Sequence, residues 1–306
     1  MSISQSASLD RTPVNALAPR RPAWLARELF PFESRFVEIG GTRFHYIDEG
    51  AGPPLLFLHG GPMSSFMWRQ QLSSLRARFR CIAVDIPGLG LSRTKLVRGR
   101  GFERMADALQ EFVQSLDLRD FTLIVHATGG PSGLEMAVRE RARLKRLVIS
   151  NTFAWPLFSI KKLRPIVRVV SSRLFSFLVV RFNLLARIAS KRGRRFGEFS
   201  SAERAAVLGP YEERITRRHL ANLLYGLRAE TAFFSGLEAR LPSLAAVPAL
   251  FVFGDQDNGY KAGFLERFAR LLPRHRAVVL KRAAHFLTED APAEYTRALE
   301  EWLGDQ

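Results

Sequence analysis

A single cysteine, Cys81, stands in the 306 residues, inside the apolar run Cys81-Ile82-Ala83-Val84. One thiol cannot build a disulfide framework. Its expected role is that of a small buried hydrophobe, and a chain without disulfides suits a reducing cytoplasm. No run of about 20 uncharged apolar residues occurs, so no transmembrane span is expected. The first residues, Met1 to Arg20, are polar, Ser-rich and Pro-containing and lack the apolar stretch of a signal peptide. Residues 1–30 are therefore expected to form a flexible arm. Internal repeats are absent, as are Cys/His metal spacings, nucleotide or flavin motifs, and any nucleic-acid-reading module. No metal, cofactor or nucleic-acid partner is implied. Acids are scarce in one place above all. From Phe158 to Ser200 there are eleven Lys/Arg and one acid, Glu198, so this stretch supplies ten of the net +17 charges. The rest of the chain is only mildly basic, and the excess is a local feature.

What is present is a large apolar fraction, 47% of residues, enough for a sizeable core. Ser34–Val37 and Thr42–Asp48 read as an antiparallel pair around Gly40-Gly41. Leu55–Leu58 is continuously apolar, as a buried central strand would be. Helical spacing over Ser64–Leu75 follows, then strand Cys81–Asp85, helix Phe102–Leu116, strand Phe121–Val125, helix Gly130–Arg139 and strand Arg146–Ser150. Such alternation predicts a mostly parallel sheet covered on both faces. From Trp155 to Leu244 strand signals vanish and helical ones dominate. Alternation resumes with strand Ala249–Phe253, helix Gly263–Leu272, strand Ala277–Leu280 and helix Ala293–Leu303. The expected organisation is an α/β core over 31–154 and 245–306, with a helical lid inserted over 155–244.

Ligands of open α/β sheets bind at the carboxyl ends of the strands, so the residues just past each strand matter most. After Leu55–Leu58 comes His59-Gly60-Gly61-Pro62, small enough to turn tightly and aim the Gly61 N–H at a site. That suits half an oxyanion hole, although an ordinary strand-to-helix turn looks similar. After Phe121–Val125 comes His126-Ala127-Thr128-Gly129-Gly130-Pro131. A strand, a sharp turn and a helix with glycines around the bend is nucleophile-elbow geometry. The residue at its tip is Ala127, whose methyl group cannot attack anything. Thr128 stands one position too late to replace it, but its N–H is placed as a second oxyanion donor. After Ala249–Phe253 comes Gly254-Asp255-Gln256-Asp257. Asp257 is the better placed to orient a histidine and Asp255 to hold the loop. After Ala277–Leu280 comes His285, in a small and apolar loop, the expected general base. A lone histidine is more often structural. The chain order of elbow, acid and histidine, each just past a strand, gives this one weight. His45, His219 and His275 read as structural or surface residues, and His126 as packing beneath the elbow.

Taken together these segments resemble the haloalkane dehalogenase/epoxide hydrolase branch of the α/β-hydrolase superfamily. The matching pieces are Phe44–Gly50, His59-Gly60-x-Pro62-x-Ser64-Ser65-x-x-Trp68-Arg69, Asp85-Ile86-Pro87-Gly88-Leu89-Gly90-Leu91-Ser92, Gly129-Gly130-Pro131-x-Gly133-Leu134 and His285-Phe286-x-x-Glu289-Asp290-Ala291-Pro292. The resemblance runs from about Phe32 to Leu303 and is weakest across the lid. It implies an α/β-hydrolase fold, with an eight-stranded mostly parallel sheet flanked by helices. It carries the general base to His285 and its acid to Asp257. In the family the elbow Asp forms an alkyl-enzyme ester. Here that position is Ala127, the Trp halide ligand is Thr128, and the Asn halide ligand is Gly61.

Three departures in one pocket favour natural divergence over a single inactivating change. Three readings follow. In the first, His285 and Asp257 with the Gly61 and Thr128 N–H groups support cyclisation, elimination, decarboxylation or water activation on a small hydrophobic substrate, without a covalent intermediate. In the second, the chain is a non-catalytic ligand-binding relative, against which the retained dyad argues. In the third, it is a dehalogenase or epoxide hydrolase with its nucleophile mutated. The basic lid interleaves arginines with apolar residues from Arg164 to Arg195. It suits a lid over the pocket, and it also suits contact with a membrane surface or an acidic partner, which would make a cytoplasmic protein peripheral to the membrane.

Overall fold

The computed structural model describes residues 21–304. Eight strands form one sheet: β1 (Arg35–Ile39), β2 (Thr42–Glu49), β3 (Pro54–Leu58), β4 (Arg80–Val84), β5 (Phe121–Ala127), β6 (Leu144–Thr152), β7 (Ala249–Gly254) and β8 (His275–Leu280). Their spatial order is β1-β2-β4-β3-β5-β6-β7-β8. β1 with β2, and β2 with β4, run antiparallel, and every later pair is parallel. The parallel strands are continuous apolar runs because both faces of the sheet are buried. Alternate side chains enter opposite cores. Leu56, Leu58, Leu123, Val125, Phe251 and Phe253 go to one side, while Leu55, Phe57, Ile124, Leu250 and Val252 go to the other.

Core helices α1 (Arg69–Leu75), α2 (Gly101–Ser115) and α3 (Gly129–Arg139) precede the lid. The lid comprises α4 (Arg164–Val170), α5 (Arg173–Phe182), α6 (Leu184–Arg192), α7 (Ser201–Leu208), α8 (Arg214–Ala229) and α9 (Thr231–Arg240). Helices α10 (Asn258–Lys261), α11 (Phe264–Leu271), α12 (Leu287–Asp290) and α13 (Pro292–Gly304) complete the core. Among the described residues no helix is long and apolar enough to cross a membrane.

Two expectations change. The part of the arm expected over 1–30 that falls within the described residues is packed, not free. Leu25 and Phe30 are buried, and the Arg21 guanidinium donates to the Phe30 and Phe32 carbonyls at 2.7 and 2.6 Å. Spaced apolar residues in a short irregular segment carry no periodicity, so a polar composition masked them; residues 1–20 of that arm lie outside the described residues. β8 also begins two residues earlier than Ala277, with the His275 ring stacked on Phe251 at 4.7 Å. The lid is fastened to the core at polar points. Glu230, between α8 and α9, accepts the N–H groups of Gly101, Phe102 and Glu103 at 2.8–3.3 Å. Those are the orphan donors of α2, and a carboxylate there also meets the positive end of the helix dipole.

Candidate active site

The carboxyl ends of β5, β6, β7 and β8 converge on one cavity of about 530 Å³, lined by Ala127, Thr128, Asp257 and His285 together with apolar lid and core side chains. Each wall is held by a local device. Ala127 ends β5 with φ +48°, a region that L residues seldom occupy. The turn that imposes it is tight. A Cβ on Gly129 would strike the His59 carbonyl oxygen, and one on Gly130 would strike the Thr152 hydroxyl. That hydroxyl donates to the Ala127 carbonyl at 2.5 Å, fixing the turn from the neighbouring strand.

The loop after β3 is anchored from beneath by Asp85. Its carboxylate accepts the Ser65 N–H at 2.6 Å and the Leu91 N–H at 2.7 Å and bonds His45 Nδ1 at 2.7 Å. Burial works to raise its pKa, but His45, His59 and the Leu91 N–H outweigh burial and hold it well below the usual carboxylate range. His45 is thus structural, and Asp85 with His59 ties the Asp85–Ser92 segment to the His59–Ser65 loop, since His59 Nε2 accepts the Ile86 N–H at 3.0 Å.

One expected feature is corrected here. The Gly61 N–H, taken from the sequence as an oxyanion donor, donates to the Thr128 hydroxyl at 2.8 Å. A side-chain oxygen one residue past the elbow reaches across to the neighbouring loop, and strand-by-strand reading does not register such a contact. The two small-residue loops are stitched together, and the hydroxyl stands where a bare N–H was expected.

His285 and Asp257 lie side by side. Nδ1 of His285 lies 2.8 Å from Asp257 Oδ2. The carboxylate is buried while the imidazole is half-exposed to the cavity. Asp257 Oδ1 accepts the Gly259 and Tyr260 N–H groups at 2.7 and 3.2 Å, capping α10. Burial opposes ionisation of Asp257, but the bond to His285 and those N–H groups prevail and lower its pKa. An ionised Asp257 fixes the proton on Nδ1 and leaves Nε2 as the basic nitrogen.

Sequence reasoning missed Asn151. It sits at the end of β6 with φ +39°. Its amide nitrogen donates to the Ala284 and His285 carbonyls at 2.8 and 3.0 Å, and its oxygen accepts the Gly254 N–H at 3.0 Å. One side chain therefore spans the loops that carry Asp257 and His285. A strand ending in a short polar residue is the faint signal that could have found it. Asp290 braces the same loop by accepting the Ala284 N–H at 2.8 Å and the Arg195 N–H at 2.6 Å from the lid.

Beneath His285 lies His126, fully buried, with ring centroids 5.2 Å apart. Burial, then the neighbouring His285, push its pKa down to about 3. Unfolded, it would titrate near about 6.5, so below that pH the unfolded chain takes up a proton that the folded chain refuses. This stability is complete above about pH 6.5 and is lost as pH falls toward 3, at about 1.4 kcal/mol per pH unit for each such histidine. His59, also buried, has its pKa lowered in the same direction. Urea unfolding at pH 7.5, 5.5 and 4.5 checks this. Burial lowers His219 as well, so His126→Gln should flatten the slope without abolishing it, and an unchanged slope would show that His126 is protonated in the fold.

This sheet, the inserted lid and the strand-end site define an α/β-hydrolase. A family model described as the alpha/beta hydrolase fold matches residues 53–292, and the chain belongs to that family. Within it the chain is 32% identical over 279 residues to haloalkane dehalogenase 2 of Mycobacterium tuberculosis, covering 90% of this chain and 97% of the relative. It is 31% identical over 275 residues to the cis-3-alkyl-4-alkyloxetan-2-one decarboxylase of Shewanella oneidensis, covering 87% and 86%. Among solved structures, the haloalkane dehalogenase DatA from Agrobacterium tumefaciens aligns with a TM-score of 0.81 at 20% identity, over 89% of this chain and 96% of that one. At that identity the likeness speaks for the fold.

Proposed function

We propose that this chain is an acid/base enzyme in which His285 and Asp257 act on a small hydrophobic substrate without a covalent enzyme intermediate. The observation that carries the reading is the buried Asp257 carboxylate on Nδ1 of a half-exposed His285, beside a cavity whose elbow tip is a methyl group. Ala127 takes the place of the family's nucleophile, and the halide-ligand positions hold Gly61 and Thr128. Alkyl-ester chemistry therefore lacks its attacking group, and a departing halide lacks its donors. A missing carboxylate also removes a negative charge that would repel an anionic or enolate-like species at the elbow. The base can take a proton from water through Nε2, hydroxide can add to a carbonyl or strained ring, and the imidazolium can return the proton to the leaving oxygen. The Thr128 hydroxyl, held by Gly61, and the Thr128 N–H are the donors for developing negative charge. Leu163, Val167, Val170 and Phe264 in the lining suit alkyl groups. The relative whose substrate is a dialkyl oxetanone makes alkyl β-lactones the first probes, followed by epoxides and esters.

The test is a single turnover in ¹⁸O-water with intact-protein mass spectrometry. Label in the product of the first turnover, with no protein adduct, is expected. An accumulating adduct, or unlabelled first-turnover hydrolysis product, defeats the reading. Should none of the probes react while a ligand binds equally well to the His285→Ala/Asp257→Ala double variant, the chain is a binding relative.

A further inference from the structure

The lid carries a face that the proposed chemistry does not use. Ile166 and Val169 on α4, Leu174 and Phe177 on α5, Phe182 at its end and Ile188 on α6 are large apolar side chains left exposed. Leu174 is 69% exposed and Phe177 57%. Leu174, Phe177 and Arg181 fall at i, i+3 and i+7, one stripe of the helix, and the rings of Phe177 and Phe182 meet at 6.0 Å. Arg164, Arg168, Arg173, Arg181, Arg187, Lys191 and Arg192 stand among them, and no acid occurs in α4, α5 or α6. A soluble surface seldom gathers so many exposed apolar groups without a use.

Two further observations say what covers this face. Ile166, 53% exposed, also lines the cavity that holds His285, together with Leu163, Val167 and Val170 from the same turn region. Ile166 thus stands at the rim where the wall of the cavity meets the apolar face. At the other end of the face, a cleft of about 570 Å³ is lined by Arg187, Lys191 and Arg192 beside Ile188. Three cations against one acid, Glu212, leave that lining net positive, which suits a phosphate group.

We propose that α4, α5 and α6 dock on an anionic phospholipid surface, with the apolar side chains in the acyl boundary and the arginines on headgroup phosphates, and that the hydrophobic substrate enters from the lipid past Ile166. Amphipathic helices lie in the interface in this way, held by buried apolar area and by attraction to anionic lipid. Self-association through the face is opposed, because a two-fold contact would press two like-charged surfaces together. The entry step rests on the reading of the cavity as an active site; the docking step does not.

Co-sedimentation of the full chain with phosphatidylcholine vesicles, with and without phosphatidylglycerol, tests docking. Binding at least tenfold tighter to the anionic vesicles is expected, weakening with salt. Leu174→Glu/Phe177→Glu, neither of which lines the cavity, should lower it a further tenfold or more at an unchanged Tm. Arg173→Gln alone should lower it about fivefold, the effect of one juxtamembrane cation. Equal binding to both vesicle types, or full binding by the Leu174→Glu/Phe177→Glu variant, overturns docking. So does binding to polyglutamate but to neither vesicle, which assigns the face to an acidic protein. For entry, turnover of a vesicle-borne probe should rise with phosphatidylglycerol and lose that rise in the same double variant, while a water-soluble probe is unaffected. Vesicle binding without such a rise overturns entry and leaves docking standing, and vesicle binding by a chain that turns nothing over separates docking from the proposed chemistry.

Discussion

Replacing His285 by alanine should lower turnover by about 10²- to 10⁴-fold, the usual contribution of a positioned general base, with little change in thermal midpoint. The imidazole is half-exposed to the cavity, rests on the His126 ring and makes its side-chain hydrogen bond through Nδ1, so removal widens the cavity on its open side. The companion variant discriminates more sharply. Asp257→Ala would also strip the cap from α10, because Oδ1 accepts the Gly259 and Tyr260 N–H groups. Asp257→Asn keeps an oxygen for those donors and turns only the other atom from acceptor to donor. An amide donating to Nδ1 forces the imidazole proton onto Nε2, the nitrogen that must be unprotonated to act as base. A loss of up to about 10⁴-fold in kcat with a folded protein is therefore expected. Single-turnover rates on whichever probe reacts, set against Tm, provide the measurement. A variant that loses Tm as much as rate would mean that the dyad is a structural hydrogen bond. If turnover persists undiminished in both variants, the catalytic groups lie elsewhere.

Strand positions were legible because a sheet buried on both faces leaves no choice of residue. Leu55–Leu58 and Ala249–Phe253 have to be apolar throughout. The candidate site was legible for a related reason: ligands gather where the strands end, so His285 and Asp257 could be picked as candidates from the few polar residues that follow strands. The contacts between loops could not be read. Thr128 taking the Gly61 N–H joins residues 67 apart, and Asn151 reaching His285 joins residues 134 apart. Neither pairing leaves a local pattern. The packing of Leu25 and Phe30 was hidden in the same way, since an irregular segment buries single side chains without repeating them. The lid was legible as helical but not as a surface. Which of its apolar residues face the core depends on how six short helices turn against one another, and periodicity in helices of seven to ten residues, such as α4, α5 and α6, fixes that weakly.

Glu289→Ala is expected to destabilise the protein by about 3–5 kcal/mol, the cost of breaking a buried ion pair from one side. Both carboxylate oxygens of Glu289 are committed to Arg69, at 2.6 and 2.8 Å, in the bidentate geometry that suits a guanidinium. Arg194 of the lid adds a bond at 3.2 Å, and Glu203, capping α7, bonds both arginines at 2.9 and 3.2 Å. Two cations and two anions thus close a neutral cluster where core helix α1, lid helix α7 and the α12 turn meet. Removing Glu289 leaves two guanidinium groups, one of them buried, to share Glu203. Arg69→Met/Glu289→Leu leaves no such charge and should cost less than Glu289→Ala alone, although it deletes more hydrogen bonds; urea midpoints of the three proteins decide it. A loss under about 1 kcal/mol for Glu289→Ala would mean that water reaches the cluster. The consequence for chemistry follows from position. Glu289 and Asp290 come four and five residues after His285, and Asp290 fixes the Ala284 N–H. Glu289→Ala should therefore also raise hydrogen exchange in α7 and, if His285 is the proposed base, lower kcat, because the turn that holds the lid to the core also positions His285.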